Sequence, residues 1–580
     1  MVGDGSSVSG EVIDGQGESP DRSAAPLMPR AGAATLILLC LLVYLPGFFG
    51  VPPTDSESCW AQGSRQVFEF LTFAPTHRDP ARHNAIIPRI ADQPQTGSPP
   101  LPFWLQAASA AALSGGNPYR DAIFMYRLPS LLAAILLVLI VRRLATELFD
   151  PSAGRLAAAF IALCPLALWH ARQATPAMLT AAATAWAMLL LWRAAAPSDA
   201  TVFLTRRSAA LFWILLALAA LSGGLLSLLI IVATIVTCAM LLGRKVLIEL
   251  RPFVGIPILA VSLGAYTAAA LQHADAPTLL SAWTAHLLWN GAATFLPPGI
   301  YLATLPAAAW PGVLLAPAGL LLVWKLGRGR SAGTIHPGYA FLLAWIAPMW
   351  VLLEAAPGKT SGLTLLLATP LSIIGARALL AASAGALPDL ESRLTSIGKT
   401  TWLIAGAAIA FAAISLFLLR LLFWPGSTAA AIGAGLVSFL GALLLFRSLA
   451  AAWRSILKGL HARAAIAGVG AMLVIAILVP TVALPRFLGL SRDLASALER
   501  IDPSGSRPVA AIGFQSSSLV FLTRARIQSP ADITAWQAAN PSALLIRDNA
   551  ESDPQPLATV TGFDASSGKP RRLEIVEAPR

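Results

Sequence analysis

The chain is built almost entirely from long apolar runs that contain next to no ionisable groups. The first is "AGAATLILLCLLVYLPGFFG" (Ala31 to Gly50), and others begin near residues 127, 156, 175, 208, 225, 253, 300, 338, 360, 400, 428 and 464. A helix needs roughly 20 apolar residues to cross the hydrocarbon core of a membrane. In lipid the backbone must satisfy its own hydrogen bonds, which a helix does and an open sheet does not. The runs are too long and too uniformly rich in Leu and Ala for the alternating strands of a barrel. They predict an all-α polytopic membrane protein with about 13 transmembrane helices, the fifth and sixth meeting at "LSGGLL" (Leu221 to Leu226).

Composition agrees. The chain is 56% hydrophobic and 12% charged, with a mean hydropathy of +0.69, whereas a soluble domain carries about 25% charged residues. Residues 1–30 lack an apolar core and read as a disordered cytoplasmic tail, not a signal peptide. Cys40, Cys164 and Cys238 lie in apolar runs and only Cys59 in a polar loop, so neither a disulfide framework nor a cysteine metal site is supported.

Short cytoplasmic loops are enriched in Lys and Arg. With the N-terminus inside, the inner loops hold nineteen cations, among them Arg142, Arg206, Lys245, Arg328, Arg393 and Arg454; the short outer loops hold three, Arg172, Lys359 and Arg420. The bias places the N-terminus in the cytoplasm and the C-terminus outside, in the periplasm if the membrane is a bacterial inner membrane. Basic loops facing anionic lipid also account for much of the +12 net charge without a nucleic-acid partner. Three outward regions are long enough to act: Val51 to Tyr126, Gln272 to Ile300, and the tail after about residue 485. The expected organisation is a tail (1–30), a transmembrane domain (31–484) with outer loop 51–126, and a small outer-face α/β domain (485–580). In the last, "SRDLASALERI" has helical periodicity, and "PVAAIGF", "SLVFLT" and "SALLIRD" are short apolar runs bounded by turn residues.

Ion pathways and proton relays need ionisable groups inside the membrane, and these helices offer almost none, which disfavours a transporter and moves any chemistry to the outer surface. There, "PPTDSESCWAQGSRQVFE" sets Asp55 and Glu57 just beyond the first helix, with Arg65 following on an amphipathic helix. A carboxylate at this surface can act as general base toward an acceptor hydroxyl while cations hold a lipid phosphate. Acids at a helix start are also ordinary caps, and the residues alone leave both readings open. His77 and His83 have no paired spacing and read as solvated, not as metal ligands. The loop "IIPRIADQPQTGSPPLPFW" (Ile86 to Trp104) should be stiff and irregular, because proline restricts its neighbours to extended forms, with Trp104 anchored at headgroup level.

Taken in order, Asp55 and Glu57, "WAQGSR", the Pro-rich loop and "YRLPSLLAAI" (Tyr126 to Ile135) resemble the first loop of the GT-C membrane glycosyltransferases, in particular the aminoarabinose transferases of lipid A and the protein O-mannosyltransferases. "WHARQATPAML", "PPGIYLATLPAAAWPGVLLAPAGL", "APGKTSGLTLLLATPLSIIGARAL" and the tail "RPVAAIGFQSSSLVFLTRARI" continue the resemblance over some 500 residues. It implies a GT-C fold, a polyprenyl-phosphate sugar donor, and transfer to a lipid, protein or glycan acceptor on the outer face. Carried over residue by residue, it makes Asp55 the acceptor-activating carboxylate, with Glu57 as the other candidate, and Arg65, Arg89, Arg172 and Lys359 the donor-phosphate cations. The chain departs from the pattern where Gly97-Ser98 replaces an acid and a lysine, where Ala177 replaces an aspartate, and where Thr294 stands for a metal-binding histidine, with His286 eight residues upstream. A divalent metal is therefore not supported by the sequence. The alternative is a catalytically degenerate relative that binds lipid or acts as a scaffold.

Overall fold

The computed structural model describes residues 32–74, 76, 84–90, 93–94, 98–196, 204–272, 297–328, 335–356, 359–384, 391–423, 429–528, 530, 532–548 and 555–578. The N-terminal tail 1–30, most of the outer region Gln272 to Ile300, and His77, His83, His286 and Thr294 lie outside the described residues.

The protein is an integral membrane protein. Among the described residues nine helices are long and apolar enough to cross a membrane, and three shorter apolar helices accompany them: Ala33–Tyr44, Pro151–Leu163 and Ala316–Gly327. The expected runs beginning near 208 and 225 are two helices within the stretch Arg206–Leu242, broken at Gly224, whose φ of 74° is open to glycine because it has no Cβ; the second half folds back along the first, since Trp213 Nε1 donates to Leu250 O at 2.7 Å. The 37 residues of the stretch would make about 55 Å of straight helix against a core of about 30 Å, so the break falls where the length requires one. The run near 300 is interrupted: Ile300–Ala308 and Ala316–Gly327 are separated by a turn in which buried Trp310 stacks on Trp402 with ring centroids 5.0 Å apart.

Six helices matter most for the site: α1 (Ala33–Tyr44), α2 (Asp55–Thr72), α3 (Leu101–Leu113), α4 (Ile123–Leu148), α5 (Pro151–Leu163) and α6 (Pro165–His170). A turn over residues 171–176 leads from α6 to α7 (Ala177–Ala195). Alanine-rich faces of α5 and α7 are buried, and side chains this small let helices pack closely without a bulky interface. The amphipathic helix expected around Arg65 is α2. It meets α3 through Gly63, where an added Cβ would lie 2.6 Å from the Phe103 ring, and Trp60 stacks on that ring at 4.7 Å.

The Pro-rich stretch differs from its expected form. Pro100 is the N-cap of α3 and Pro102 lies in its first turn, so "LPFW" is helical. Proline is well suited to a first turn, where its missing N–H has no intrahelical partner to lose. Trp104 Nε1 donates to Ala85 O at 2.7 Å, pinning α3 to the loop, and its ring meets Tyr266 edge-on at 6.0 Å. Upstream, β1 (Arg89–Ile90) and β2 (Gln93–Pro94) pair antiparallel.

The C-terminal segment forms a five-stranded mixed sheet. β3 (Val509–Ile512) runs parallel to β4 (Ile527–Gln528) and β5 (Leu544–Asp548), while β6 (Ala558–Asp564) and β7 (Lys569–Glu577) form an antiparallel hairpin at the other edge. The helix Leu490–Ile501 lays Leu490, Leu494, Ala497 and Leu498 on Val509, Leu544, Ile546 and Ile575, the spacing of one helical face. Leu545 and Val576 alternate to the opposite side, against Ile533 and Trp536. "PVAAIGF" and "SALLIRD" hold strands, whereas "SLVFLT" lies in the helix Ser517–Leu522, capped by Ser516, which accepts from Leu519 N.

Candidate functional site

Thr54 is the N-cap of α2, accepting from Glu57 N at 3.2 Å, so neither acid caps its own helix. Two residues apart, they diverge by about 200° around the axis and reach opposite surroundings.

Glu57 points inward and is 1% exposed. Its Oε1 accepts from Arg127 Nε at 2.6 Å and from Ala174 N at 3.0 Å; its Oε2 accepts from Arg127 Nη2 at 2.9 Å. Arg127, in the first turns of α4 and also buried, completes its bonding through Nη1 to Phe48 O at 2.7 Å. Three residues on, Ser130 Oγ donates to Thr175 O at 3.3 Å. The "RLPS" stretch thus clamps the start of α2 to the 171–176 turn with a bidentate ion pair and one hydroxyl.

Asp55 points the other way and is half-buried against the C-terminal segment. Its Oδ1 accepts from Ser516 Oγ and from Ser518 N, each at 2.8 Å. Asp55 thus binds the first turn of the helix Ser517–Leu522 and leaves the capping of α2 to Thr54. Cys59, one turn along α2, lies 3.4 Å from Ser517 Oγ.

The predicted cations are distributed around these acids and engaged in different ways. Arg65 is buried, with Nε on Asp121 Oδ2 at 2.7 Å, Nη1 on Phe521 O at 2.8 Å, and its guanidinium 4.0 Å over the Phe521 ring. Asp121 also accepts from Tyr126 Oη at 2.7 Å and from Arg524 of the C-terminal segment. Arg89 is held through its main chain, its N donating to Gln66 Oε1 at 2.8 Å while Gln66 Nε2 donates to its carbonyl. Arg172 donates to Leu168 O at 2.7 Å, Ala476 O at 2.6 Å and Val43 O, while its buried Nε has no partner among the described residues. Lys359 Nζ donates to the carbonyls of Leu353, Glu354 and Ala356 at 3.2, 2.9 and 2.9 Å, closing the end of the helix Pro337–Ala355, with the Glu354 carboxylate 3.7 Å away.

The 171–176 turn connects these groups. Ala174 bonds Glu57 on one side; on the other, His170 lies 3.0 Å from Ser361 Oγ, two residues beyond Lys359, and 3.4 Å from Thr175 Oγ1. Glu57, Arg172 and Lys359 therefore share one connected end of the bundle, while Arg65 stands further along α2 at the contact with the C-terminal segment. Ser98 precedes α3. Among the described residues no group of three or more His, Cys, Asp or Glu is placed to hold a metal.

Three participants were not assigned from sequence. Arg127 had a signal, since an arginine at the head of an apolar helix needs a buried partner. Ser516 had one too, as a serine ahead of an apolar run. Asp121 had none that separates it from a solvated loop acid.

This architecture, an apolar helical bundle whose first polar loop is met by the helix Ser517–Leu522 and Arg524 of a small C-terminal segment, is the fold the chain shares with solved GT-C glycosyltransferases. The chain superposes on ArnT, the aminoarabinose transferase, from Cupriavidus metallidurans in the apo state with a TM-score of 0.60 at 16% identity, covering 94% of this chain and 96% of that one. For the same protein bound to undecaprenyl phosphate the values are 0.59, 16%, 93% and 96%. The Archaeoglobus fulgidus oligosaccharyltransferase in the apo form gives 0.52 at 13% identity, covering 89% of this chain and 69% of that one. No protein-family model and no curated protein matches the chain.

Proposed function

We propose that this protein transfers a sugar from a polyprenyl-phosphate donor to a lipid, protein or glycan acceptor, at the membrane surface that carries loop 51–126. The observation that carries the reading is the division of labour between the two acids. Glu57 is neutralised by Arg127 and buried, a structural partner. Asp55 is the acid left half-buried at the junction of α2 and the C-terminal segment, with Oδ2 unpartnered among the described residues. In this reading Asp55 accepts the proton of the acceptor hydroxyl as that oxygen attacks the anomeric carbon; the bond from that carbon to the phosphate oxygen breaks, and the isoprenoid phosphate leaves. Developing charge on a leaving phosphate needs fixed positive partners. Arg172, with its unpartnered Nε, is the first of these, with Arg89 beside the loop. Arg65 and Lys359 brace the walls in this reading through the contacts they already make. The fold shared with a protein seen bound to undecaprenyl phosphate supports a donor of that class. The Lys/Arg bias of the loops supports transfer on the outer face, with the N-terminus cytoplasmic and the C-terminus periplasmic if the membrane is a bacterial inner one.

The test is loss of this gene product followed by mass spectrometry of polyprenyl-phosphate sugars and envelope glycoconjugates, with complementation by wild type and Asp55→Asn. A donor that accumulates and a product that vanishes, restored by wild type alone, is the expected outcome. Full complementation by Asp55→Asn removes the base assignment. The internal engagement of Glu57, Arg65 and Lys359, with Ser98 at the family lysine position, favours a second reading: a degenerate relative that binds lipid. Tight binding of undecaprenyl phosphate with no release of isoprenoid phosphate from any lipid-linked sugar selects it.

A further inference from the structure

The C-terminal segment reaches into the site at one point, and the contact is made by polar atoms whose donor and acceptor roles can be assigned. Asp55 Oδ1 receives two donors, Ser516 Oγ and Ser518 N, each at 2.8 Å. An ionised carboxylate only accepts, so the single hydroxyl hydrogen of Ser516 goes to Asp55. Ser516 Oγ then acts as acceptor in its other contacts, from Leu519 N at 3.3 Å and from the Ser491 hydroxyl at 2.9 Å. Ser491 lies on the helix Leu490–Ile501, which packs on the sheet through Leu490 and Leu494. The chain Ser491–Ser516–Asp55 ties the orientation of one carboxylate to the core of the C-terminal segment.

Left alone, an aspartate in the first turn of a helix is drawn to the open N–H groups of its own N-terminus. Here the amide of Ser518 and the Ser516 hydroxyl compete with that pull and turn Oδ1 outward, while Thr54 serves the α2 end. Both donors converge on Oδ1, and among the described residues Oδ2 has no partner. The docking that brings them there is braced independently by Arg65 on Phe521 O at 2.8 Å, by Tyr126 edge-on to Phe521 at 5.9 Å, and by Arg524 on the carbonyls of Pro118 and Tyr119, each at 3.0 Å.

We propose that Ser516 is a positioning residue for the Asp55 carboxylate, so that the site is complete only when the C-terminal segment is docked on α2. The proposal rests on the assignment of Asp55 in the preceding reading. It adds that the second domain belongs to the catalytic machinery by orienting the base, with Oδ2 kept for the acceptor hydroxyl.

The test uses the full-length protein in detergent with four variants: Ser516→Ala, Ser516→Thr, Asp55→Asn and Arg524→Ala. Release of isoprenoid phosphate from the lipid-linked sugars of the native membrane reads activity, and maleimide labelling of half-buried Cys59 reads docking. Ser516→Ala should lower kcat by about 10- to 100-fold, the range for a lost hydrogen bond to a charged group, with KM for the acceptor unchanged. Cys59 labelling should stay within about twofold of wild type, because the Arg65 and Arg524 contacts remain, and Ser516→Thr should recover most of the rate. Wild-type kcat in Ser516→Ala while Asp55→Asn is inactive overturns the inference and leaves the proposed function standing; an active Asp55→Asn overturns the base assignment itself. Loss of activity in Ser516→Ala accompanied by Cys59 labelling as fast as in Arg524→Ala shows a merely docking role and also overturns the inference. A double-mutant cycle between Asp55→Asn and Ser516→Ala on thermal stability needs no turnover: coupling between the two is expected, and strict additivity refutes the contact.

Discussion

Replacing Glu57 by glutamine should be among the most damaging isosteric changes available to this protein. The side chain is 1% exposed and its partner Arg127 is 2% exposed. Its two oxygens accept three hydrogen bonds, from Arg127 Nε, Arg127 Nη2 and Ala174 N. An amide keeps one acceptor oxygen and presents an NH2 group to a donor in place of the other, so at least one buried donor loses its partner. The larger effect is electrostatic: the guanidinium keeps its charge and loses its counter-ion. At about 4 Å and an effective dielectric near 20 the lost attraction is about 4 kcal/mol, and breaking one side of a buried pair costs about 3–5 kcal/mol. Thermal unfolding in detergent can be followed with a thiol-reactive dye, because Cys40, Cys164 and Cys238 are fully buried and become reactive as the bundle opens. The double variant Glu57→Gln/Arg127→Met removes the orphaned charge and should be markedly more stable than the sum of the single effects implies. A Glu57→Gln protein within about 1 kcal/mol of wild type, or a strictly additive double variant, would refute the claim that this pair clamps α2 to α4 and the 171–176 turn.

Three further outcomes follow from the same contacts. Gly63→Ala sets a Cβ 2.6 Å from the Phe103 ring and should destabilise by about 1–3 kcal/mol, with Trp60 fluorescence changing as its stacking on Phe103 is lost; an unshifted melt refutes the close approach of α2 and α3. Lys359→Met leaves three helix-end carbonyls without their donor and should cost about 1–3 kcal/mol in the same dye assay, whereas an unchanged melt with weakened binding of undecaprenyl phosphate would return Lys359 to the donor site. Asp502 is pulled from 3.8 to about 2 by the Ser504 hydroxyl and the Arg507 amide, with Arg526 adding to it. Because the folded value lies below the unfolded one, its contribution is fully present above about pH 4 and fades as pH falls toward 2. Melts of the C-terminal segment across that window should lose stability in wild type and less so in Asp502→Asn; equal slopes refute the assignment.

Much of the architecture was legible because it is local. Apolar runs make helices in lipid whatever surrounds them, the break at Gly224 sits inside the glycine pair that the sequence marked, and the amphipathic α2 shows in its own residues. The hairpin β6–β7 went unread, although its turn has a local signal: Asp564 accepts from the amides of Ser566 and Ser567, and Gly568 takes a φ of 68°. The candidate acids and cations were also visible as residue types near one surface. Their partners were not: Glu57 finds Arg127 70 residues away, and Asp55 finds Ser516 at a separation of 461.

That difference has a physical cause. Solvent transfer and backbone satisfaction act on each segment separately, so the chain's own composition settles that it enters a membrane as helices and that its ionisable groups gather in the loops. The direction in which a charged side chain turns depends on which donors the rest of the fold delivers to it. Two carboxylates two residues apart are equivalent in sequence. Packing makes one a buried strut and gives the other to the C-terminal segment.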